Sequence, residues 1–91
     1  MKFELGHLVI TSAAAEWLEE RAGRADAVNS CIGRHADGDW GGVSDDDFKA
    51  NDDAVASGDR LLSSYGVDGA TLWIITEADR SATTVLFPED Y

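Results

Sequence analysis

The sequence predicts an α+β domain: an antiparallel sheet of three or four strands with two or three helices packed on one face. Three observations lead there. A short β-branched run opens the chain, capped stretches of helical period follow, and the last third switches to period two around a strong hairpin signal. At 91 residues the chain supports one modest core, so residues 1–91 are read as a single domain.

Leu5 to Thr11 (LGHLVIT) is apolar and rich in β-branched residues, which predicts a strand. From Ser12 to Glu20 the residues are good helix formers, with Thr11 or Ser12 as N-cap and Gly23 as the stop. A second helix is expected from Asp26 to about Arg34, where Ala27, Val28, Cys31 and Ile32 form an apolar stripe. His35 to Val43 reads as a loop, since its glycines and aspartates break both periods. Ser44 then caps a third helix, with Asp45, Asp46 and Asp47 in the first turn where the helix dipole favours anions. That helix should run to Ser57 and close at Gly58. Arg60 to Val67 reads as a strand, and Asp68-Gly69 is the hairpin signal. Thr71 to Thr76 is apolar on both faces and therefore central in its sheet. After a turn at Glu77–Ser81, in which Arg80 is expected to form an ion pair, Thr83–Phe87 is the last strand, halted by Pro88. Trp17 and Trp73 are expected in the core.

Charge is the unusual feature. Eighteen Asp and Glu stand against seven Lys and Arg, a formal net of −11. Binding nucleic acid through a basic footprint is thereby excluded, and adhesion to an anionic membrane is disfavoured. No apolar run approaches the length of a spanning helix, and the first residues lack the basic and apolar regions of a signal peptide. The single cysteine, Cys31, leaves no internal disulfide and no paired-cysteine zinc site, and suits a reducing cytoplasm.

Catalytic patterns are weak. His35 near Asp37 and Asp39 invites a metal or acid–base reading. The EF-hand template fails there, since its fifth position from Asp37 is Gly41 and its twelfth is Phe48. A Cys31–His35 pair at i, i+4 lacks an identifiable oxyanion site or orienting third group. No glycine-rich phosphate loop or nucleophile elbow occurs. No catalytic residue, metal or cofactor is therefore assigned.

The acids are more informative. Between Asp37 and Asp59 lie eight aspartates and one base, Lys49, a local net of −7. On a helix, Asp45 and Asp52 share a face, as do Asp46 and Asp53, each pair about 10 Å apart along the axis. Lys49 can pair with Asp45 or Asp53 at i±4. Such crowding opposes folding beyond what solubility requires. One reading is a solvated acidic surface with capping acids. The sharper one is a mimic of phosphate spacing that occupies a basic nucleic-acid channel on another protein. In that reading Asp45, Asp46, Asp52 and Asp53 supply the charges, and Asp37 and Asp39 extend the track. Trp40 either anchors the interface or plugs the core beneath its loop.

Two stretches, Arg34–Gly41 (RHADGDWG) and Trp73–Tyr91 (WIITEADRSATTVLFPEDY), carry a resemblance, with Asn51 and Arg60–Tyr65 (RLLSSY) between them. Together they resemble a family of small acidic proteins of plasmids, phages and integrated elements, often labelled as a type I restriction–modification subunit. The resemblance covers about two-thirds of the chain, from Cys31 onward. It implies a mobile-element context, in which small acidic proteins block host defence as anti-restriction or anti-CRISPR proteins.

The resulting expectation is a non-enzymatic, cytoplasmic inhibitor in a bacterial host. Its partner would be the basic nucleic-acid-binding surface of a host defence protein, a CRISPR effector subunit foremost. Alternatives are an accessory protein of plasmid maintenance or restriction–modification, and a small metal-dependent hydrolase built on Cys31, His35, Asp37 and Asp39. The strong negative charge favours a monomer, while an exposed edge strand offers a route to a dimer.

Overall fold

The computed structural model describes all 91 residues. Its elements run β1 (His7–Ile10), α1 (Ser12–Glu19), α2 (Arg24–Ala36), α3 (Asp45–Ser57), β2 (Leu61–Val67), β3 (Ala70–Thr76) and β4 (Ala82–Leu86), with a 3-10 turn over Pro88–Asp90. The α+β class and three helices stand. The sheet is mixed rather than purely antiparallel: its order is β1-β4-β3-β2, and β1 runs parallel to β4. Hairpins force β2, β3 and β4 to alternate, but β1 is separated from them by three helices, so no turn dictates its direction.

Local chemistry accounts for the element ends. The Thr11 hydroxyl accepts the Ala14 N–H at 3.3 Å to start α1. The Ser44 hydroxyl accepts the Asp47 N–H at 3.1 Å to start α3, and Gly58, at φ +81°, ends it. Asp68 and Gly69 both take positive φ, 49° and 77°, as a type I′ hairpin requires. Asp68 is also tied to the α1–α2 junction by Arg24, whose Nε donates to its carboxylate at 3.1 Å. Arg24 additionally covers the Trp17 ring at 4.1 Å and donates to the Trp17 carbonyl at 2.7 Å. The second helix therefore begins at Arg24, two residues before the expected Asp26.

Pairing registers place Leu61, Ser63, Tyr65, Leu72, Ile74, Thr76, Thr83 and Val85 on one face of the sheet, and all are buried. Val28 and Cys31 of α2 close over this face, with Trp17 and Leu18 of α1 packed alongside. Trp17 and Trp73 are half-buried rather than central. Trp73 lies on the opposite face, where Tyr91 meets it edge-on at 5.9 Å. A second cluster, Trp40, Ala54 and Leu61, holds α3 against β2.

The outer edge of β2 is closed by side chain and loop. The Asn51 amide donates to the Leu62 carbonyl at 2.7 Å and accepts its N–H at 3.2 Å, imitating a strand. Ser64 donates to the Trp40 carbonyl and accepts from Gly42. Gly41, at φ +72°, is required there, because a Cβ would stand 2.0 Å from the Ser64 oxygen. Asn51→Ala should cost about 1–3 kcal/mol, since it strands two polar backbone groups at a partly buried contact. A urea midpoint unchanged from wild type would show that water replaces the amide.

Candidate acidic face and buried histidine relay

On α3, Asn51 and Ala54 are buried against β2. At about 100° per residue, Asp45, Asp46, Asp52 and Asp53 fall on the outward arc with Lys49 among them. All five are exposed. The ion pair open to Lys49 by spacing does not form: no carboxylate lies within 4.0 Å of its ammonium, and the five ion pairs of the structure lie elsewhere. Spread along a solvated helix, one lysine loses more side-chain entropy than an exposed pair returns. Asp45, Asp46 and Asp53 make no ion pair and no side-chain hydrogen bond.

Four attachments fix this helix despite its self-repulsion: the Ser44 cap, the Asn51 clasp, Trp40 and Arg80. Arg80 forms no ion pair in its turn, contrary to expectation. Its guanidinium donates to three carbonyls, Ala54 at 2.8 Å, Asp59 at 2.7 Å and Glu77 at 3.1 Å. The cation thus sits at the negative end of the α3 dipole, where a carboxylate partner is unnecessary.

Trp40 is a plug and not an anchor. Its side chain is fully buried, so it presents nothing to a partner. The ring stacks on Phe3 at 6.0 Å and meets the His35 ring edge-on at 5.5 Å, while Nε1 donates to Asp52 at 2.9 Å. Asp52 is therefore both an outward charge and the acceptor that satisfies a buried indole. Asp37 and Asp39 belong to the end of α2, away from the α3 row. Asp37 lies 3.5 Å from the N-terminal ammonium. Asp39 takes two bonds from Arg34, at 2.7 and 3.3 Å, and accepts the Gly41 N–H in an Asx-type turn. Hydrogen bonding to Arg34 holds the Asp39 carboxyl below its ordinary range, and Asp39 in turn raises Arg34. Asp39 is thereby neutralised locally and adds little to a charged track.

Contrary to expectation, His35 and Ala36 are not loop but the last turn of α2, and both are buried. His35 Nδ1 meets the Ser63 hydroxyl and Nε2 the Thr76 hydroxyl at 2.8 Å. Thr76 reaches Thr83 at 2.7 Å, and Thr83 donates to the Leu5 carbonyl at 2.7 Å. That carbonyl can only accept, which together with a neutral ring sets every proton in the chain. Thr83 gives its hydrogen to Leu5, Thr76 gives to Thr83, the imidazole gives from Nε2 to Thr76, and Ser63 gives to Nδ1. The ring is neutral, its pKa lowered to about 4 by burial and by the nearby Arg80 charge.

With both nitrogens engaged, His35 has no lone pair for a metal or for Cys31. Burial pushes the Cys31 thiol up, away from nucleophilic character. Asp37 and Asp39 point into other contacts, so the Cys31, His35, Asp37 and Asp39 constellation does not assemble. No group of three or more His, Cys, Asp or Glu side chains is placed to hold a metal ion. The roles of Ser63, Thr76 and Thr83, the partners that organise the interior, escaped sequence reasoning. Their available signal was hydroxyls recurring at inward positions of otherwise apolar strands.

No helix is long and apolar enough to cross a membrane. Compared with family models, curated proteins and solved structures, the chain matches none. Fold and surface together define a small α+β domain that displays a fixed anionic helix.

Proposed function

We propose that this protein is a non-enzymatic inhibitor that seats the outward face of α3 in a Lys/Arg-lined nucleic-acid groove of a host defence complex. A type I CRISPR effector is the leading candidate, with target DNA excluded from loading. One observation carries the reading: Asp45, Asp46, Asp52 and Asp53 stand exposed on one face of a helix anchored at both ends, with no cation bound to any of them. Rigid carriage matters, because a preorganised row of charges loses little entropy on docking. The resemblance to small acidic mobile-element proteins supports the same context. Trp40 contributes indirectly, by orienting Asp52.

The test is competition between this protein and target DNA for a purified effector complex. Replacing Asp45, Asp46, Asp52 and Asp53 together with asparagine should weaken binding by about 100-fold, or about 2.8 kcal/mol. The amide oxygen at position 52 can still accept the Trp40 N–H, so the fold is retained. Wild-type affinity should also fall steeply as salt rises from about 50 to about 200 mM. Undiminished inhibition by the folded variant would rule the reading out.

A further inference from the structure

The two edges of the sheet are treated differently. Asn51, Trp40 and Gly42 close the edge at β2, whereas the edge at β1 is bare. His7 donates its N–H to Ser81 at 3.0 Å and Thr11 donates to Val85 at 3.1 Å. By alternation, Leu8 and Ile10 turn their N–H and C=O groups away from the sheet, where no other segment meets them. Leu8, Val9 and Ile10 are 59%, 46% and 38% exposed. Leu8 and Ile10 share the face of Thr83 and Val85, their register partners, and border an apolar groove formed with Leu18, Val28 and Ile32. Unprotected, uncharged edges of this kind pair with other strands.

We propose that β1 pairs antiparallel with β1 of a second copy, about a two-fold axis through Val9. Leu8 of each copy then faces Ile10 of the other, and both exchange N–H···O=C bonds. The two Val9 side chains meet across the axis in the intervening non-hydrogen-bonded pair. The operation extends the sheet to eight strands, keeps both helical layers on the same side and is closed by symmetry.

Charge selects a second copy as the occupant. Leu5–Ala15 is the longest run without Asp, Glu, Lys or Arg in a chain of net −11, and β1 lies within it. Two such chains approach most readily where their own charge is lowest; the Asp90 carboxylate, on Thr11 just past β1, is the one acid bonded to this run. The acidic helix α3 packs on β2, three strands away. In the pair the two acidic helices stand at opposite ends of the sheet, separated by seven strand spacings of roughly 4.8 Å. That separation, roughly 34 Å, is several Debye lengths at physiological salt. A basic partner would be drawn to α3, while the uncharged strand with alternating large apolar side chains that this edge accepts is β1 itself.

Sedimentation equilibrium on the full chain tests the pairing. At concentrations up to about 1 mM the wild type should populate a dimer, several-fold tighter at about 0.5 M salt than at about 0.05 M, as screening removes net repulsion. Val9→Lys places two ammonium groups together on the axis and should give a monomer under every condition. Because that variant could be misfolded, Val9→Cys supplies a second readout. Its introduced thiols, facing across a non-hydrogen-bonded pair, should cross-link with oxidised glutathione, which takes up the two electrons and two protons as two reduced molecules. Ile10→Cys, whose two copies lie diagonally, should cross-link much more slowly. A wild type monomeric at about 1 mM and high salt, a dimer that survives in folded Val9→Lys, or equal cross-linking of the two cysteine variants would each overturn the proposal.

Discussion

Trp40→Ala is expected to lower unfolding stability by about 3–5 kcal/mol. A chain of this length holds roughly 5–14 kcal/mol in total, so the variant should unfold well below the wild-type temperature. The size of the effect follows from position. Trp40 is fully buried and touches three otherwise separate parts of the chain: Phe3 near the start, His35 at the end of α2, and Asp52 on α3. Removing the indole leaves a cavity bordered by Ala54 and Leu61, side chains of too little flexibility to fill it. Trp40→Phe divides the loss. It keeps most of the ring and deletes the Nε1–H bond to Asp52, and should cost about 1–2 kcal/mol because the exposed carboxylate can turn to water. Urea unfolding followed by far-ultraviolet circular dichroism measures both. An alanine variant within about 1 kcal/mol of wild type would mean that Trp40 is not the plug described above.

Features determined within a few residues were legible before any coordinates. Ser44 followed by three aspartates marked the start of α3, Asp68-Gly69 marked the hairpin, and Pro88 marked the end of β4. Each works through its own backbone geometry. Contacts made at long range were not legible. The Leu5–Thr11 run identifies a strand but carries nothing about its neighbour, so the parallel β1–β4 pairing could not be read. The glycine-rich sequence after Arg34 suggested a break at His35. Instead, the helix continues two residues further, to Ala36, with the His35 ring held between the Ser63 and Thr76 hydroxyls. Arg80 looked like half of an ion pair because Asp79 adjoins it, yet two of the three carbonyls it serves, those of Ala54 and Asp59, belong to residues distant in sequence. The acidic face was legible in part. Spacing put Asp45, Asp46, Asp52 and Asp53 on one side of a helix. It could not show that Asp39 is taken by Arg34, or that Asp52 also serves a buried indole.

Stability should fall between about pH 6.5 and pH 4, before the carboxylates are titrated, and His35 is the cause. An unfolded histidine takes a proton near 6.5, while in the fold burial and Arg80 hold His35 neutral down to about 4. Across that interval the unfolded chain binds one more proton than the native one, so stability is fully present above pH 6.5 and is lost as pH falls. The slope approaches 1.4 kcal/mol per pH unit and the total is on the order of 3 kcal/mol, after which the native ring protonates too. Protonation breaks the relay at one defined bond. Nδ1 becomes a donor and faces the Ser63 hydroxyl, which must then turn and give up its present role. Asp39 and Asp79, held low by Arg34 and by Ser81 respectively, lose their contributions only further down, as pH falls through the carboxylate range. Urea midpoints at several pH values should therefore show an early decline for wild type. His35→Asn, although less stable throughout, should give a flatter profile over the same interval. Nitrogen-15 chemical shifts supply the direct check, and should report a neutral ring protonated at Nε2 at pH 5.5. A native His35 that titrates near 6.5 with stability unchanged across the interval would contradict the relay.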